Sequence, residues 1–203
     1  MAFKSNYVNG VVICHGKSEL KMSRFISSNL HLNIKTFARD GGKHSIQITS
    51  LDSVLRAKPF NKLSSFLEEY TVETSGKAKD RKLVNFKLFI IMDTDDCTDR
   101  QREDYQSKAM FKGHWLYDYI VPVVNIPTLE DVLVESGMMH KKIRDDEKGA
   151  YYTKIFPINS KPLSNDTLTE VQTLRQFIEK SKHTNLNDFI DYCLSLLPQD
   201  FKV

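Results

Sequence analysis

The chain has 203 residues, of which 40% are hydrophobic and 27% charged, and its formal net charge is +3. This is the composition of an ordinary globular domain, which excludes a disordered chain, and the charge alone is too small to indicate nucleic-acid binding. Three scattered cysteines without a C-x-x-C pair indicate neither a disulfide framework nor a zinc ribbon. Without a long apolar run or a signal-like N-terminus, we expect a cytoplasmic protein that does not associate with membranes.

Two strands and three helices are predicted before residue 75. The apolar run VVIC within residues 7–14 is typical of a strand buried on both faces. The turn HGKS at residues 15–18 leads into a helical pattern that ends near Leu30. The alternation LNIKTFA at residues 32–38 predicts a second strand, which the paired glycines after Asp40 end. Two more helices are predicted at residues 46–55 and 61–70.

The second half of the chain contains the strongest strand pattern. Residues 83–92 include KLFIIM and end at the acidic segment Asp93–Asp96. Another strand is predicted at residues 119–125, where Pro122 favours an edge or a bulge. The remaining helices are predicted at residues 99–112, from Thr128 onwards with Asp131 in its capping box, and twice between residues 168 and 197.

Strands that alternate with helices predict an α/β fold: a Rossmann-like, largely parallel sheet of about four or five strands with helices on both faces. We assign residues 1–157 to this domain and residues 158–203 to a C-terminal helical appendage packed on it. In such sheets ligands bind beyond the carboxyl ends of the strands. Because His15, Gly16 and Asp93 follow apolar strands, we expect them at one edge of the sheet.

The segment Asp93-Thr94-Asp95-Asp96 predicts a metal site. Alternate residues on extended backbone point the same way, so Asp93 and Asp95 can reach one ion together. Carboxylates held this close raise one another's pKa values unless a cation neutralises them. Ligands that are all oxygen favour Mg²⁺ or Mn²⁺. The alternative is a solvent-exposed acidic turn.

The chain has no P-loop, and its two basic stretches indicate phosphate binding only if an acidic metal site lies nearby. Five residues separate Gly10 from Gly16, whereas a P-loop has four between its glycines. Next to an acidic metal site, a basic stretch could contact a nucleic-acid backbone; otherwise it is a solvated surface. One stretch contains Lys77, Lys79, Arg81 and Lys82, and the other Lys141, Lys142, Arg144 and Lys148.

The order of these motifs resembles the TOPRIM domain of topoisomerases, DnaG-type primases and OLD-type nucleases. In that family one strand ends in an acidic residue and glycine, and a later strand ends in D-x-D. Here IIMDTDD is similar to the second element and VVICHGKSE to the first. The likeness is closest to the OLD-type and RloB-like branch, associated with phage defence, through FARDGGKHSI, NIPTLEDVL and AYYTK. It runs from about Val8 to Pro157.

The resemblance implies roles for residues around these motifs. Asp93 and Asp95 would hold catalytic metal, Glu130 would complete a second metal position, and Lys154 would neutralise charge in the transition state. Apart from the resemblance, the glycine turn could let backbone amides approach a phosphate, and a phosphate-binding set is predicted: Gly16, Lys17, Gly41, Gly42 and the nearby His44. Structural roles compete with these: a glutamate favoured at a helix start, a plain glycine turn and a solvated lysine.

His15 stands where the family usually has a glutamate that binds metal or acts as general acid or base. Histidine accepts a proton near neutral pH, but magnesium prefers oxygen. Three explanations remain open. Glu19, four residues on, supplies the carboxylate for metal binding and catalysis; His15 itself is the base or shifts the preference towards manganese; or catalysis has been lost.

The leading functional hypothesis is a Mg²⁺- or Mn²⁺-dependent nuclease that hydrolyses phosphodiester bonds of DNA or RNA, with a role in phage defence implied by the resemblance alone. An alternative is a non-catalytic TOPRIM subunit that binds nucleic acid or a separately encoded ATPase, since the chain has no ATP-binding loop of its own. Self-association is compatible with either. A third hypothesis is an unrelated doubly wound domain in which Asp93 is a nucleophile.

Overall fold

The computed structural model describes residues 6–77, 80–158 and 163–201, with the backbone alone at residues 145 and 146. Its centre is a four-stranded, fully parallel sheet, which confirms the predicted α/β class. The strands of the chain are β1 (Gly10–Cys14), β2 (Ile34–Phe37), β3 (Thr74–Ser75), β4 (Lys82–Leu83), β5 (Lys87–Asp93) and β6 (Ile120–Asn125). The sheet has the order β2-β1-β5-β6, and β3 pairs with β4 in a small antiparallel hairpin.

Eight α-helices connect and cover the strands within the described residues. They are α1 (Lys17–Asn29), α2 (Leu51–Arg56), α3 (Leu63–Glu69), α4 (Asp99–Gln106), α5 (Leu129–Glu135), α6 (Asp145–Ile155), α7 (Asn165–Ile178) and α8 (Asn187–Ser195). Helix α6 was not predicted, because its sequence lacks a clear apolar stripe and contains Gly149. No described helix combines the length and apolar character needed to cross a membrane.

The apolar strand sequences are explained by burial of both faces of the sheet. Successive residues of β5 point to opposite faces. Leu88 and Ile90 pack with α2, α3 and α4, whereas Phe89 and Ile91 pack with α1, α5, α7 and α8. All four side chains are at most 1% exposed. A strand enclosed in this way is apolar along its length, as KLFIIM is.

Strand β6 lies at an edge of the sheet, as Pro122 predicted, and the connection between α7 and α8 covers it. The Asn185 side chain acts like a neighbouring strand: its Nδ2 donates to the Pro122 carbonyl at 3.0 Å and its Oδ1 accepts from the Val124 amide at 2.9 Å. The Ile126 amide donates to the His183 carbonyl at 2.9 Å. Helices α7 and α8 thus belong to the packing of this domain, while the boundary drawn between residues 157 and 158 stays a prediction.

Candidate active site

A cavity of about 230 Å³ opens beyond the carboxyl ends of β1 and β5. Its wall is formed by the turn after β1 with the start of α1, by the acidic turn after β5, by the start of α5 and by one side of α6. The lining residues are 15–19, Ser45, Asp93, Asp95, 128–130, Lys148 and Tyr152. The cavity therefore lies where parallel sheets usually bind ligands.

Asp93 is the last residue of β5 and is held in one orientation. Its Oδ1 accepts from Asn125 Nδ2 at 3.1 Å and from the Leu129 amide at 3.0 Å, at the start of α5. Asn125 Oδ1 in turn accepts from the Thr184 hydroxyl at 3.0 Å. Both hydrogen bonds to Asp93 engage Oδ1, so the carboxylate is fixed by its neighbours while Oδ2 accepts no hydrogen bond from a described residue.

Glu19 turns back from the first turn of α1 towards the end of β1. Its Oε2 accepts from the Gly16 amide at 2.8 Å, as a glutamate at the third helical position does in a capping box. The residue is only 2% exposed and lines the cavity with His15 and Asp93. A carboxylate thus reaches the position beside His15 from four residues along the chain.

The two buried carboxyls influence each other. Burial raises the pKa of Glu19 to about 7, and the charge of Glu130 adds to this, whereas the hydrogen bond from Gly16 lowers it. Burial also raises the pKa of Asp93 well above its usual range, with a further contribution from the charge of Glu19 and an opposing one from His15. Such a pair is typical of a functional site, because a bound cation would relieve both effects.

Asp95 reaches the cavity from a turn rather than from a strand. Strand β5 ends at Asp93, so the argument from extended backbone does not hold for Asp95. The turn is fixed by Thr94, whose amide donates to the Pro127 carbonyl at 2.8 Å. Asp95 is exposed and lines the cavity. His15 also lines it, and its Nδ1 is buried without a hydrogen-bond partner among the described residues.

Glu130 also lines the cavity, at the start of α5, with its side chain 13% exposed. Its Oε1 lies 3.2 Å from Lys148 Nζ, an ion pair whose angles fall outside hydrogen-bond geometry. Thr128 caps α5: its Oγ1 accepts from the Asp131 amide at 3.3 Å and donates to the Asp131 carboxylate at 2.6 Å. Glu130 therefore takes no part in capping α5, and its side chain lines the cavity.

Helix α6 contributes Lys148 and Tyr152, which lie one turn apart on the same side of the helix. Lys154, for which a catalytic role was predicted, is exposed and outside the cavity wall. The position of its side chain gives that role no support. Lys148 is the α6 lysine that lies beside the carboxylates.

Of the predicted phosphate-binding residues, Gly16 and Lys17 line the cavity. The glycine turn does not line it but packs against the backbone of Lys17. A Cβ on Gly42 would lie 2.9 Å from the Lys17 Cα, and its φ is +85°, so glycine is needed for this close approach. Gly41 faces open space. His44 is exposed and pairs with Asp40 at 2.8 Å, away from the cavity wall.

The first basic stretch lies far from the cavity. It belongs to the β3–β4 hairpin, which precedes the amino end of β5, and the seven residues of that strand span roughly 20 Å. Lys77, Arg81 and Lys82 are exposed there, and Lys79 lies outside the described residues. In the second stretch, ion pairs join Lys142 to Asp131 and Arg144 to Glu147. A role for the first stretch in nucleic-acid binding stays a prediction.

The donor atoms suit a hard cation, although they are not yet arranged around one. Among the described residues, no three His, Cys, Asp or Glu side chains converge closely enough to hold an ion as they stand. The oxygen donors available in the wall belong to Glu19, Asp93, Asp95 and Glu130. Carboxylate oxygens are what Mg²⁺ and Mn²⁺ prefer, and Glu130 Oε1 is buried without a hydrogen bond. By the chemistry of their donor atoms, these residues fit such an ion.

Sequence reasoning missed Asn125 and Tyr152 as site residues, and it named Lys148 only within a basic stretch that could contact a nucleic-acid backbone. Asn125 ends a predicted strand beside Asp93, a position that parallel sheets bring to the same edge. Lys148 and Tyr152 have the four-residue spacing of one helix face, a signal that becomes visible once α6 is taken as a helix. Their convergence on the cavity depends on packing of α6 against α1.

Comparison with known proteins assigns no family. No protein-family model, curated protein or solved structure matches the chain. The resemblance to TOPRIM domains of the OLD-type and RloB-like branch therefore remains a prediction that rests on the motifs, their order and the edge of the sheet at which they meet.

Proposed function

We propose that the protein hydrolyses phosphodiester bonds of nucleic acid at this cavity with the help of Mg²⁺ or Mn²⁺. The observation that carries the proposal is the pair of buried carboxyls, Asp93 and Glu19, with raised pKa values in one cavity. Two buried acids side by side reduce stability unless a cation offsets them. Proteins keep such arrangements where the site has a use for the cation.

Asp93, Glu19, Asp95 and Glu130 would hold the metal. When bound, Mg²⁺ or Mn²⁺ would stabilise negative charge on the oxygens of the reacting phosphate. Asp93 would keep its orientation through Asn125 and Leu129. This arrangement leaves the site closed to water on the sheet side, where Cys14 and Met92 are fully buried.

In the resembled family a glutamate stands at the position that His15 occupies in this chain. Glu19 is the best candidate to supply that carboxylate here. Its side chain reaches back to the Gly16 amide, beside the end of β1. His15 remains available to accept a proton or a hydrogen bond, since its Nδ1 has no partner among the described residues. The first of the three explanations is therefore favoured, with His15 as a supporting group.

Cleavage of plasmid and single-stranded substrates tests the proposal directly. We expect products with Mg²⁺ or Mn²⁺ and none in EDTA. Phosphodiester cleavage that is equally fast in EDTA would contradict metal dependence, and absence of cleavage with both ions and both kinds of substrate would contradict the proposed activity. The choice between DNA and RNA, a role in phage defence and an ATPase partner stay predictions.

The two lysines of α6 should differ in their effects. Lys148 lies 3.2 Å from Glu130 in the cavity wall, whereas Lys154 is exposed outside it. Lys148→Met should lower kcat/KM about 10- to 100-fold, the range expected when a charged group beside the reacting atoms or their ligands is removed. Lys154→Met is the matched control and should cleave at the wild-type rate. Equal losses in the two variants would contradict the assignment of Lys148.

A non-catalytic subunit is the second candidate, and His15 is the observation that favours it. His15→Glu should discriminate between the two. If Glu19 supplies the missing carboxylate, a third acid beside Asp93 adds repulsion, and cleavage should fall or stay unchanged. A gain of metal-dependent cleavage from an inactive wild type would instead show that the site has degenerated and that the native protein acts by binding.

A further inference from the structure

We propose that the junction of α1 and α6, at the mouth of the cavity, binds a second phosphate of the substrate, next to the one being cleaved. The identity of the substrate rests on the proposed function, whereas the anion site does not depend on cleavage. Three features of the junction support it: a buried hydroxyl, two lysine ammonium groups and the start of a helix.

The hydroxyl belongs to Tyr152, which is 1% exposed and lines the cavity. It has no hydrogen-bond partner among the described residues. Buried hydroxyl groups in native proteins are nearly always paired, so one left unpaired in a cavity wall indicates a missing ligand. The ring itself is fixed by stacking on Phe156, with centroids 5.8 Å apart.

The ammonium groups belong to Lys17, which lines the cavity, and to Lys21, whose Nζ lies at Gly149 of α6. Lys21 Nζ donates to the Gly149 carbonyl and to Thr153 Oγ1, both at 2.5 Å. Lys17 Nζ lies 4.0 Å from where a Cβ on Gly149 would be. Since neither lysine has an ion pair among the described residues, a bound anion would relieve their repulsion.

The start of α1 adds backbone donors. The helix begins at Lys17, and the first amides of a helix have no partner within it. Glu19 Oε2 accepts from the Gly16 amide, and Lys17 and Ser18 line the cavity at the positive end of the helix dipole. Hydroxyl, ammonium and amide donors on one side of a cavity match a phosphate, whose oxygens accept hydrogen bonds.

The separation of charge across the cavity indicates which phosphate this is. Glu19 and Asp93 are buried in the cavity wall, and Lys148 is paired with Glu130. Lys17 is exposed at the mouth. The phosphate that reacts must lie near Asp93, so a phosphate at Lys17 and Tyr152 would be its neighbour along the strand, or the terminal phosphate of a short product.

Binding of inorganic phosphate tests the site without metal or cleavage. We would titrate phosphate into the protein in EDTA at neutral pH and follow the heat of binding. Lys17→Met and Tyr152→Phe should each weaken binding about tenfold, the loss expected for one hydrogen bond to a charged group. Tyr151→Phe, which changes the neighbouring half-buried tyrosine, is the matched control and should leave the Kd unchanged.

Wild-type affinity for phosphate in both Lys17→Met and Tyr152→Phe, or no saturable binding by the wild type, would overturn the proposal. Lys17 is exposed, so its replacement keeps the result interpretable if Tyr152→Phe does not fold. If the variants bind phosphate more weakly but the wild type never cleaves nucleic acid, the phosphate site is supported and the proposed nuclease activity is contradicted. Competition by 5′-phosphorylated oligonucleotides alone would identify a terminal phosphate; competition by unphosphorylated ones as well would identify an internal phosphate. Competition by neither kind would also overturn the proposal.

Discussion

Asp93→Asn is expected to reduce metal-dependent cleavage by about a thousandfold, because a metal ligand contributes several kcal/mol to charge stabilisation in the transition state. Asparagine has nearly the same shape, and its carbonyl oxygen can still accept from Asn125 Nδ2 and the Leu129 amide. The fold should therefore persist, and the loss should be chemical. Initial rates over a Mn²⁺ titration would measure it.

The matched control is Asp104→Asn, which removes an exposed carboxylate on α4 outside the cavity wall. We expect wild-type rates for this variant at every metal concentration. If Asp93→Asn cleaves within a fewfold of the wild type, the carboxylate pair is not the metal site. A rate that recovers fully at high Mn²⁺ would assign Asp93 to ion affinity rather than to the chemical step.

Glu19→Gln is expected to stabilise the metal-free protein above neutral pH. In the folded protein the pKa of Glu19 is raised from 4.5 to about 7. Between these two values the folded state holds a proton that the unfolded state has lost, so the free energy of unfolding falls as the pH rises. At pH 8 the full loss for the wild type is ~3 kcal/mol, and glutamine removes it while it can still accept from the Gly16 amide.

Urea denaturation in EDTA at pH 5 and pH 8 would measure this effect. The difference between the two pH values should be clearly smaller in Glu19→Gln than in the wild type, and Glu103→Gln, an exposed glutamate of α4, should behave as the wild type. Added Mn²⁺ should raise the stability of the wild type at pH 8 and have little effect on Glu19→Gln. A wild type whose stability is the same at both pH values would contradict the burial of an ionised carboxylate.

The sheet could be predicted because its strands are nearly continuous apolar runs. KLFIIM can be accommodated only where both faces are covered, and Pro122 marked the edge strand correctly. Helix α6 could not be predicted in the same way, since Asp145, Asp146 and Gly149 interrupt any apolar stripe. Its position depends on contacts with α1, such as the bonds of Lys21, that lie more than 100 residues apart in sequence.

The residues of the cavity likewise divide into those that could be predicted from the sequence and those that could not. The residues that directly follow β1 and β5 meet because parallel strands end at one edge, and this brings His15, Glu19 and Asp93 together. The assignment of Lys154 came from likeness to a short motif and that of His44 from its nearness to the glycine turn, and both side chains are exposed outside the cavity wall. Gly42 illustrates a third case: the glycine is required, but for contact with the Lys17 backbone rather than for phosphate.

The connection between α7 and α8 ties the C-terminal region to the carboxylate at the centre of the cavity. Thr184 orients Asn125, which orients Asp93, and the next residue, Asn185, closes the edge of β6. The helices beyond residue 163 are therefore not an exchangeable module. A related chain that replaced or lost them would have to change Asn125 as well, and would expose a strand edge open to pairing with other chains. We expect the two ends of the protein to have been inherited as one unit.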